Sequence, residues 1–485
     1  MNIVLISPPL HGMYKAANII IPPIGLLYVA SYLKAHGHQV RVTDRTTDSE
    51  PPPYEWADAV GITAMTLNFN EALTYARTAH EHDKIVVMGG VHPTTMPDES
   101  LMSGFVDYVV RGEGEETALD LFNALEAHGR KLTPDNIPGI SWLNPDTGRP
   151  VHNPERSAMR SLAGLPMPER DSLHMEYYKA TRLRGHREAT TILTSRGCPY
   201  DCNFCVVPKI NSRIYRVRPV DEIIEEMLYL RDVHGFRAVI FVDDNLTINH
   251  RRTEELCNAM IDARVNMVWW CMSRADTLVK HPEMVALMAK AGCVQIFIGL
   301  ESGSERILKL YNKNCTAETG AQAVTLLKQH NIDTFGAFIL GADEETVADV
   351  ESTIKYALRL GLESAQFSLL TPYPGTDVYE EVKHKLITRN WDLYDGGHAL
   401  FSTRHLDMDM LNALLKKAFF RFYLRPSYLL KRIRSPKLHT IRYMLNYVRK
   451  SRNRITEDLY QKDHQQPVYE PLHLTADPVR LTVNE

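Results

Sequence analysis

The chain has 485 residues, enough for two or three domains of ordinary size. Hydrophobic residues make up 44% and charged residues 24%, the balance of a globular protein, and a net charge of −4 supplies no whole-chain attraction to nucleic acid or an anionic surface. Seven cysteines over this length exclude a disulfide scaffold; none precedes Cys198, so a reducing, cytoplasmic setting is expected.

The Met1 segment MNIVLISPPL has no basic stretch and no small-residue cleavage site, and does not read as a signal peptide. The longest uncharged run, from Ala16 to Leu33, is broken by Pro22 and Pro23 and reads as a loop and a buried helix rather than a membrane span. Residues 1–130 alternate strands and helices. The expected strands are Asn2–Ser7, Gln39–Asp44, Ala57–Ile62, Ile85–Gly89 and Val106–Arg111; the helices are Ile24–Ala35, Asn70–Glu81 and Glu115–Ala127. Strands apolar on both faces with helices between them imply an α/β, Rossmann-type parallel sheet of flavodoxin-like order, with one crossover helix shortened near Pro51–Pro53. Residues 131–188 carry the turn clusters PDN, NPDTG and LPMPERD and read as a connector.

A second alternation begins at Ala189 and repeats six times. Its expected strands are Thr190–Thr194, Ala238–Asp243, Met267–Met272, Val294–Leu300, Thr334–Leu340 and Ala365–Leu370, with helices such as Asp221–Val233, His281–Lys290, Ala317–Gln329 and Glu344–Leu360. Six β/α units over 189–400 suit a partial (β/α)6 barrel, whose sites form at the C-terminal ends of its strands. Residues 401–465 read as a basic helical region: Leu411–Ile455 holds thirteen Lys or Arg and no Asp or Glu, interleaved with aromatics such as Phe419, Phe420 and Phe422. Residues 466–485 read as a flexible tail.

Directly after the first barrel strand stands TSRGCPYDCNFC, with Cys198, Cys202 and Cys205 spaced CxxxCxxC. Three thiolates on one short loop suit an iron–sulfur cluster and leave one iron of a cube without a protein ligand, open to a chelating amine and carboxylate. Half of a zinc site, with His234 or His250 recruited from afar, is the alternative, but no second CxxC accompanies the triplet. The remaining Cys257, Cys271, Cys293 and Cys315 read as buried free thiols.

Over residues 189–380 the sequence resembles the radical S-adenosylmethionine (SAM) superfamily, whose signature is this triplet with an aromatic, here Phe204, before the last cysteine. The resemblance implies a 4Fe–4S cluster and SAM, with SAM contacts at the strand ends. FVDDN offers Asp243 or Asp244, SRAD offers Arg274 or Asp276, GLESG offers Glu301 and Ser302, and FILGADEE packs on adenine around Gly341. The alternative for these polar residues is ordinary helix capping, as by Ser304 and Asp343.

Three polar or glycine-rich segments collect beyond the strands of the first domain, where parallel sheets bind ligands. Ile62–Asn70 presents Thr63, Met65, Thr66 and Leu67; Met88–Glu99 presents Gly89, Gly90 and His92; and Arg111–Thr117 presents Gly112, Glu113 and Gly114. Neither GxGxxG nor GxxxxGK[ST] occurs there, so no dinucleotide or nucleoside triphosphate is indicated. Placed ahead of a radical SAM barrel, the segments resemble the cobalamin-binding domain of cobalamin-dependent radical SAM enzymes. The DxHxxG signature is absent, which implies cobalamin held without a protein imidazole on cobalt. Methylthiotransferases, which also carry a flavodoxin-like first domain, place three further cysteines in it; this chain has none.

The resemblance implies a reaction: reductive SAM cleavage, hydrogen abstraction from an unactivated substrate carbon, and methyl transfer from cobalamin. A hydrophobic small-molecule substrate is expected from the apolar, basic C-terminal region, with hopanoid C-3 methylases among the relatives. The alternative is an oxidative cyclase of the anaerobic magnesium-protoporphyrin monomethyl ester type. A reducing partner such as flavodoxin or ferredoxin is implied. No nucleic-acid motif accompanies the basic region; peripheral membrane contact through it is left open.

Overall fold

The computed structural model describes residues 1–9, 19–184, 187–426 and 428–429. The expected tail and most of the basic C-terminal stretch therefore lie outside the described residues. β1 (Asn2–Ser7), β2 (Gln39–Asp44), β3 (Ala59–Thr63), β4 (Ile85–Gly89) and β5 (Tyr108–Val110) run parallel in the order β2-β1-β3-β4-β5, the flavodoxin-like arrangement. Ile3, Val4, Leu5 and Ile6 are all buried in succession, as a strand covered on both faces requires. Helices Ile24–Ala35, Phe69–Glu81 and Gly114–His128 supply the cover, and the β2-to-β3 crossover shrinks to a single turn of 3-10 helix, Tyr54–Trp56.

The stretch 131–188 corrects the expectation of a plain connector. β6 (Ile140–Leu143) and β7 (Pro150–His152) extend the first sheet antiparallel beyond β5, joined by the NPDTG turn. Strands of four and three residues between Pro and Gly clusters carry no readable period. β5 makes them strands by pairing Tyr108 with Trp142 and Val110 with Ile140.

The second sheet contains β8 (Arg182–Leu183), β9 (Arg187–Ile192), β12 (Ala238–Phe241), β13 (Val268–Ser273), β14 (Cys293–Glu301), β15 (Asp333–Leu340) and β16 (Ser364–Leu369). The short strands β10 (Ser195–Arg196) and β11 (Arg216–Val217) form a separate antiparallel ribbon. β9 and β12–β16 are parallel neighbours in chain order, a partial barrel that stays open between β9 and β16.

The open edge has its own solution. β8 pairs with β9 only at Arg187 and Glu188, so carbonyls further along β9 face outward without a strand partner. Arg170 donates to the carbonyl of Thr191 at 2.6 Å and Arg218 to that of Leu193 at 2.9 Å. The fully buried Glu226 accepts from each of these arginines at 2.6 Å. Two guanidiniums on one carboxylate thus stand in for a missing strand, a cap that also blocks edge-to-edge pairing.

One hydrophobic cluster joins the two sheets: Val4, Ile6 and Met88 of the first pack in the same core as Ile307, Tyr311, Leu370 and Trp391. The Tyr178 hydroxyl donates to Asp44 at 2.6 Å, and the Trp391 indole donates to Glu99 at 2.8 Å. A Cβ on Gly375 would stand 2.5 Å from Thr95, so backbone and loop touch there. The loops that meet follow β4 and β5 on one side and β9 and β16 on the other. The C-terminal edges of the two parallel sheets therefore face each other. No described helix is long and apolar enough to cross a membrane.

Replacing Glu226 with Gln leaves the buried Arg170 guanidinium without a counter-charge and Arg218 with only Glu222 at 4.0 Å, which costs about 3–5 kcal/mol on the usual scale for a broken buried pair. A lowered urea midpoint for the barrel, followed by circular dichroism, is the expected outcome.

Candidate active site

The thiol triplet sits where the two edges meet. After β9 the chain forms β10, turns at Gly197 and enters the cysteine loop. Gly197 has φ +86°, and a Cβ there would fall 2.1 Å from the carbonyl oxygen of Ile214, so only glycine fits. Its N–H donates to Asp244 at 3.2 Å. Cys198, Cys202 and Cys205 are all half-buried. Burial pushes the three thiols up, Cys205 to about 12, so a metal group that binds them must displace protons. Among the described residues no three His, Cys, Asp or Glu side chains converge as the ligands of one ion would. The donor set of the triplet suits a larger, anionic group: Arg274 and Lys313 both lie beside Cys202 and favour its thiolate.

Lys313 carries no motif of its own that would mark it in the sequence. Its buried ammonium bonds Glu301 at 2.7 Å. Glu301 itself has φ +55°, rare outside glycine, at a bulge where β14 slips against β15 between Gly299 and Glu301. A Cβ on Gly299 would stand 2.3 Å from the Glu301 carboxylate and 2.8 Å from the Lys313 ammonium, so that glycine makes room for the pair. Backbone held in this way at the end of a barrel strand marks a site where strain is retained because the surroundings over-determine it.

Of the two aspartates in FVDDN, Asp243 is fully buried; one of its oxygens accepts from the Thr194 N–H at 3.1 Å, the Thr194 hydroxyl at 2.8 Å and the Ser195 hydroxyl. It ties β9 to β12, and its other oxygen is buried without a hydrogen-bond partner among the described residues. Asp244 is open to solvent, yet surrounding protein and the neighbouring Asp243 push it up to about 6, as at the wall of a cavity. Arg274 donates to Asp276 at 2.9 Å and to the Lys313 carbonyl at 2.9 Å while lying 3.7 Å over the Tyr200 ring, so Arg274 and Asp276 form a fixed pair beside the cysteine loop. Phe204 stands edge-on to Tyr311 at 5.3 Å.

Ser302 does not point at the site: it is buried and shares a hydrogen bond with Thr353 at 2.9 Å. Gly341, at φ +96°, donates its N–H to the buried Glu345 and backs onto Leu411. Of the two expected caps, Ser304 does stand at the N-cap of Glu305–Leu310, with its hydroxyl donating to Asp349 at 2.8 Å, and Asp343 does not cap. Thr346 caps Val347–Leu360 in a reciprocal box with Asp349, while Asp343 pairs with Lys385 and Arg404.

In the crevice of the first sheet, Met65 and Gly112 are exposed, and Thr63, Leu67, Gly89 and Gly90 are half-buried. Gly90 has φ +101°, and a Cβ would meet the Ala64 carbonyl oxygen at 2.6 Å. Backbone and small residues here leave room for a broad, flat ligand. Three of the expected residues are engaged with other parts of the protein. His92 is fully buried, 4.1 Å from Phe69 and 4.9 Å from Trp391 between ring centroids, with Thr66, also buried, 3.3 Å from its Nδ1 and Glu99 3.5 Å from its Nε2; the histidine wedges the two halves together. Glu113 gives both oxygens to Arg216, at 2.8 and 2.7 Å, and one also to Arg196 at 3.3 Å. Gly114 packs on Val29.

Residues 192–357 match the family model of the radical SAM superfamily, and residues 14–122 that of the B12 binding domain. The chain is 32% identical over 452 residues to an uncharacterized methyltransferase of Pyrococcus horikoshii, covering 89% of this chain and 95% of the relative. It is 28% identical over 449 residues to the anaerobic magnesium-protoporphyrin IX monomethyl ester cyclase of Rubrivivax gelatinosus, covering 88% and 78%. Among solved structures, the cobalamin-dependent SAM radical enzyme OxsB, with aqua-cobalamin and SAM bound, shares the fold with a TM-score of 0.69 at 18% identity, covering 93% of this chain and 71% of that one.

Glu345, near the strand end at Gly341, yields a pH test. Burial raises its carboxyl to about 7 from an ordinary 4.5, so the folded chain keeps a proton that the unfolded chain releases. Stability therefore falls as pH rises from about 4.5 to 7, by about 3 kcal/mol in all. Glu345→Gln keeps an acceptor for the Gly341 N–H; it should raise the thermal midpoint at pH 8 by several degrees and change it little at pH 4.5.

Proposed function

Because this chain belongs to the cobalamin-dependent radical SAM enzymes, and with them uses a 4Fe–4S cluster, SAM and cobalamin, we propose that it is a C-methyltransferase acting on an unactivated carbon of a hydrophobic small molecule. The observation that carries the reading is the placement of the thiol loop, at the end of β9, against the glycine-lined crevice of the first sheet. When bound, the cluster and SAM supply one-electron cleavage of the sulfonium, and cobalamin supplies a transferable methyl group.

The chain's own residues have separable tasks in this reading. Cys198, Cys202 and Cys205 would hold the cluster. Arg274 and Lys313 offset the charge of the thiolates. Asp244 and the free oxygen of Glu301 are polar contacts for SAM, with the Arg274–Asp276 pair and Phe204 beside them and the backbone at Gly341 as an apolar wall. Thr63, Met65, Leu67, Gly89, Gly90 and Gly112 would line the cobalamin crevice. Facing the two sheet edges toward each other turns separate cofactor sites into one cavity, where orientation does much of the catalytic work.

An apolar substrate, of lipid or hopanoid type, agrees with Met408–Tyr423, a helix that leaves Met410 and Phe420 exposed, with Leu424 exposed just beyond it. The same surface supports a peripheral membrane contact. The electron comes from an outside donor of flavodoxin or ferredoxin type.

Reconstituted without oxygen in iron, sulfide and cobalamin, the protein should pass isotopically labelled methyl from SAM into extracted lipids or porphyrins. Oxidation of a product without added carbon would instead favour cyclase chemistry, as the name of the Rubrivivax relative suggests. Cys202→Ala should lose the cluster's visible absorbance and at least about 100-fold of SAM cleavage, equivalent to about 2.7 kcal/mol of barrier. Wild-type levels of either would contradict the assignment.

A further inference from the structure

β10 and β11 present a problem in charge. Arg196 and Arg216 are direct partners across the ribbon, and like charges placed opposite each other destabilise an antiparallel pair. The neutralising groups come from the other domain. Glu113 accepts from Arg216 at 2.8 and 2.7 Å and from Arg196 at 3.3 Å, and Glu115 accepts from Arg196 at 2.5 Å. All four side chains are largely buried, with 3–13% of their surface exposed. The Tyr28 ring lies 5.4 Å from the Arg196 guanidinium and covers it from the first domain. Both carboxylates also sit at the start of the helix Gly114–His128, whose dipole favours negative charge there.

The two ends of this clamp touch both cofactor sites assigned above, and the inference rests on that assignment. Arg196 is followed by the constrained Gly197 and then by Cys198. On the other side Glu113 lies between Gly112, exposed in the crevice, and Gly114, packed on Val29. One short loop therefore offers backbone to the crevice and a carboxylate to the ribbon that leads into the cysteine loop.

We propose that Glu113 and Glu115 are positioning residues for the cluster loop: through Arg196 and Arg216 they set its register from the cobalamin crevice, so that occupancy of either site alters the other. Coupling of this kind is reciprocal: cobalamin tightens the cysteine loop, and an ordered cysteine loop tightens cobalamin binding.

The test uses the full chain. Hydrogen exchange is followed over residues 194–198 before any cluster is built, with and without hydroxocobalamin. In the wild type, hydroxocobalamin should slow exchange there several-fold. In Glu113→Gln/Glu115→Gln, hydroxocobalamin should still bind, judged by its retained absorbance after gel filtration. Exchange over 194–198 should nevertheless rise about 10-fold and no longer respond to it. If the double variant fails to fold, Glu115→Gln alone should show the same change at reduced size. Arg196→Gln combined with Glu115→Gln removes the opposed charges along with their partner and should restore most of the protection. After reconstitution, the change that SAM makes in the electron paramagnetic resonance of the reduced cluster should weaken in the glutamate variants. Exchange over 194–198 that is the same in the wild type and both glutamate variants overturns the proposal. A wild-type protein that takes up no cluster overturns the cofactor assignment instead, and the exchange measurement still reads the clamp.

Discussion

Everything reactive in this chain depends on the C-terminal edges of two parallel sheets being held face to face. A parallel α/β sheet leaves its loops and open ligand positions at one edge, because the crossover helices cover both faces. One such sheet makes an open crevice. Two of them, joined through a common apolar core that runs from Val4 and Met88 to Leu370 and Trp391, bring two such crevices edge to edge. His92 and Trp391 drive a wedge of rings into that junction, and the Trp391 indole is pinned to Glu99. The union is far more than a flexible tether between two independent domains.

Buried charge concentrates where the partial barrel would otherwise be weakest. A closed barrel has no edge; this one leaves the carbonyls of Thr191 in β9 and Leu193 just after it without a strand partner, and Arg170 and Arg218, both held by the buried Glu226, cover them. The next residues of the same strand lead into the ribbon of Arg196 and Arg216, which again needs glutamates from elsewhere in the chain. Desolvating so many guanidiniums is costly unless each is paired, and such pairs give geometry more than stability. Geometry is what a loop carrying three thiols requires.

The strand end at Glu301 follows similar logic on a smaller scale. A left-handed backbone, a bulge, a glycine that makes room and a buried lysine all converge on one carboxylate oxygen. The other oxygen remains available beside the thiol loop. Comparable constraint at Gly90, where a Cβ would meet the Ala64 carbonyl oxygen, keeps the opposite wall shallow.

By itself the sequence determined what depends on local chemistry and period. The alternation of apolar runs with 3.6-residue patterns carried both α/β sheets, with β1, β2 and β4 and the helices Ile24–Ala35 and Ala317–Gln329 bounded to the residue, and the spacing of Cys198, Cys202 and Cys205 carried the family. The tertiary structure alone decided which polar residues face the cavity, because that depends on partners far away in the chain. Asp243 and Asp244 are equivalent as letters; pairing of β9 with β12 buries the first and leaves the second open. Ser302 is bonded to Thr353, Glu113 to Arg216, and His92 is packed against Trp391, while Lys313 meets Glu301 through a contact that no motif announces. β6 and β7 became strands only because β5 offered them an edge. A side chain's chemistry is written locally, but its availability is set by whatever packs or bonds against it, and those neighbours come from all along the chain.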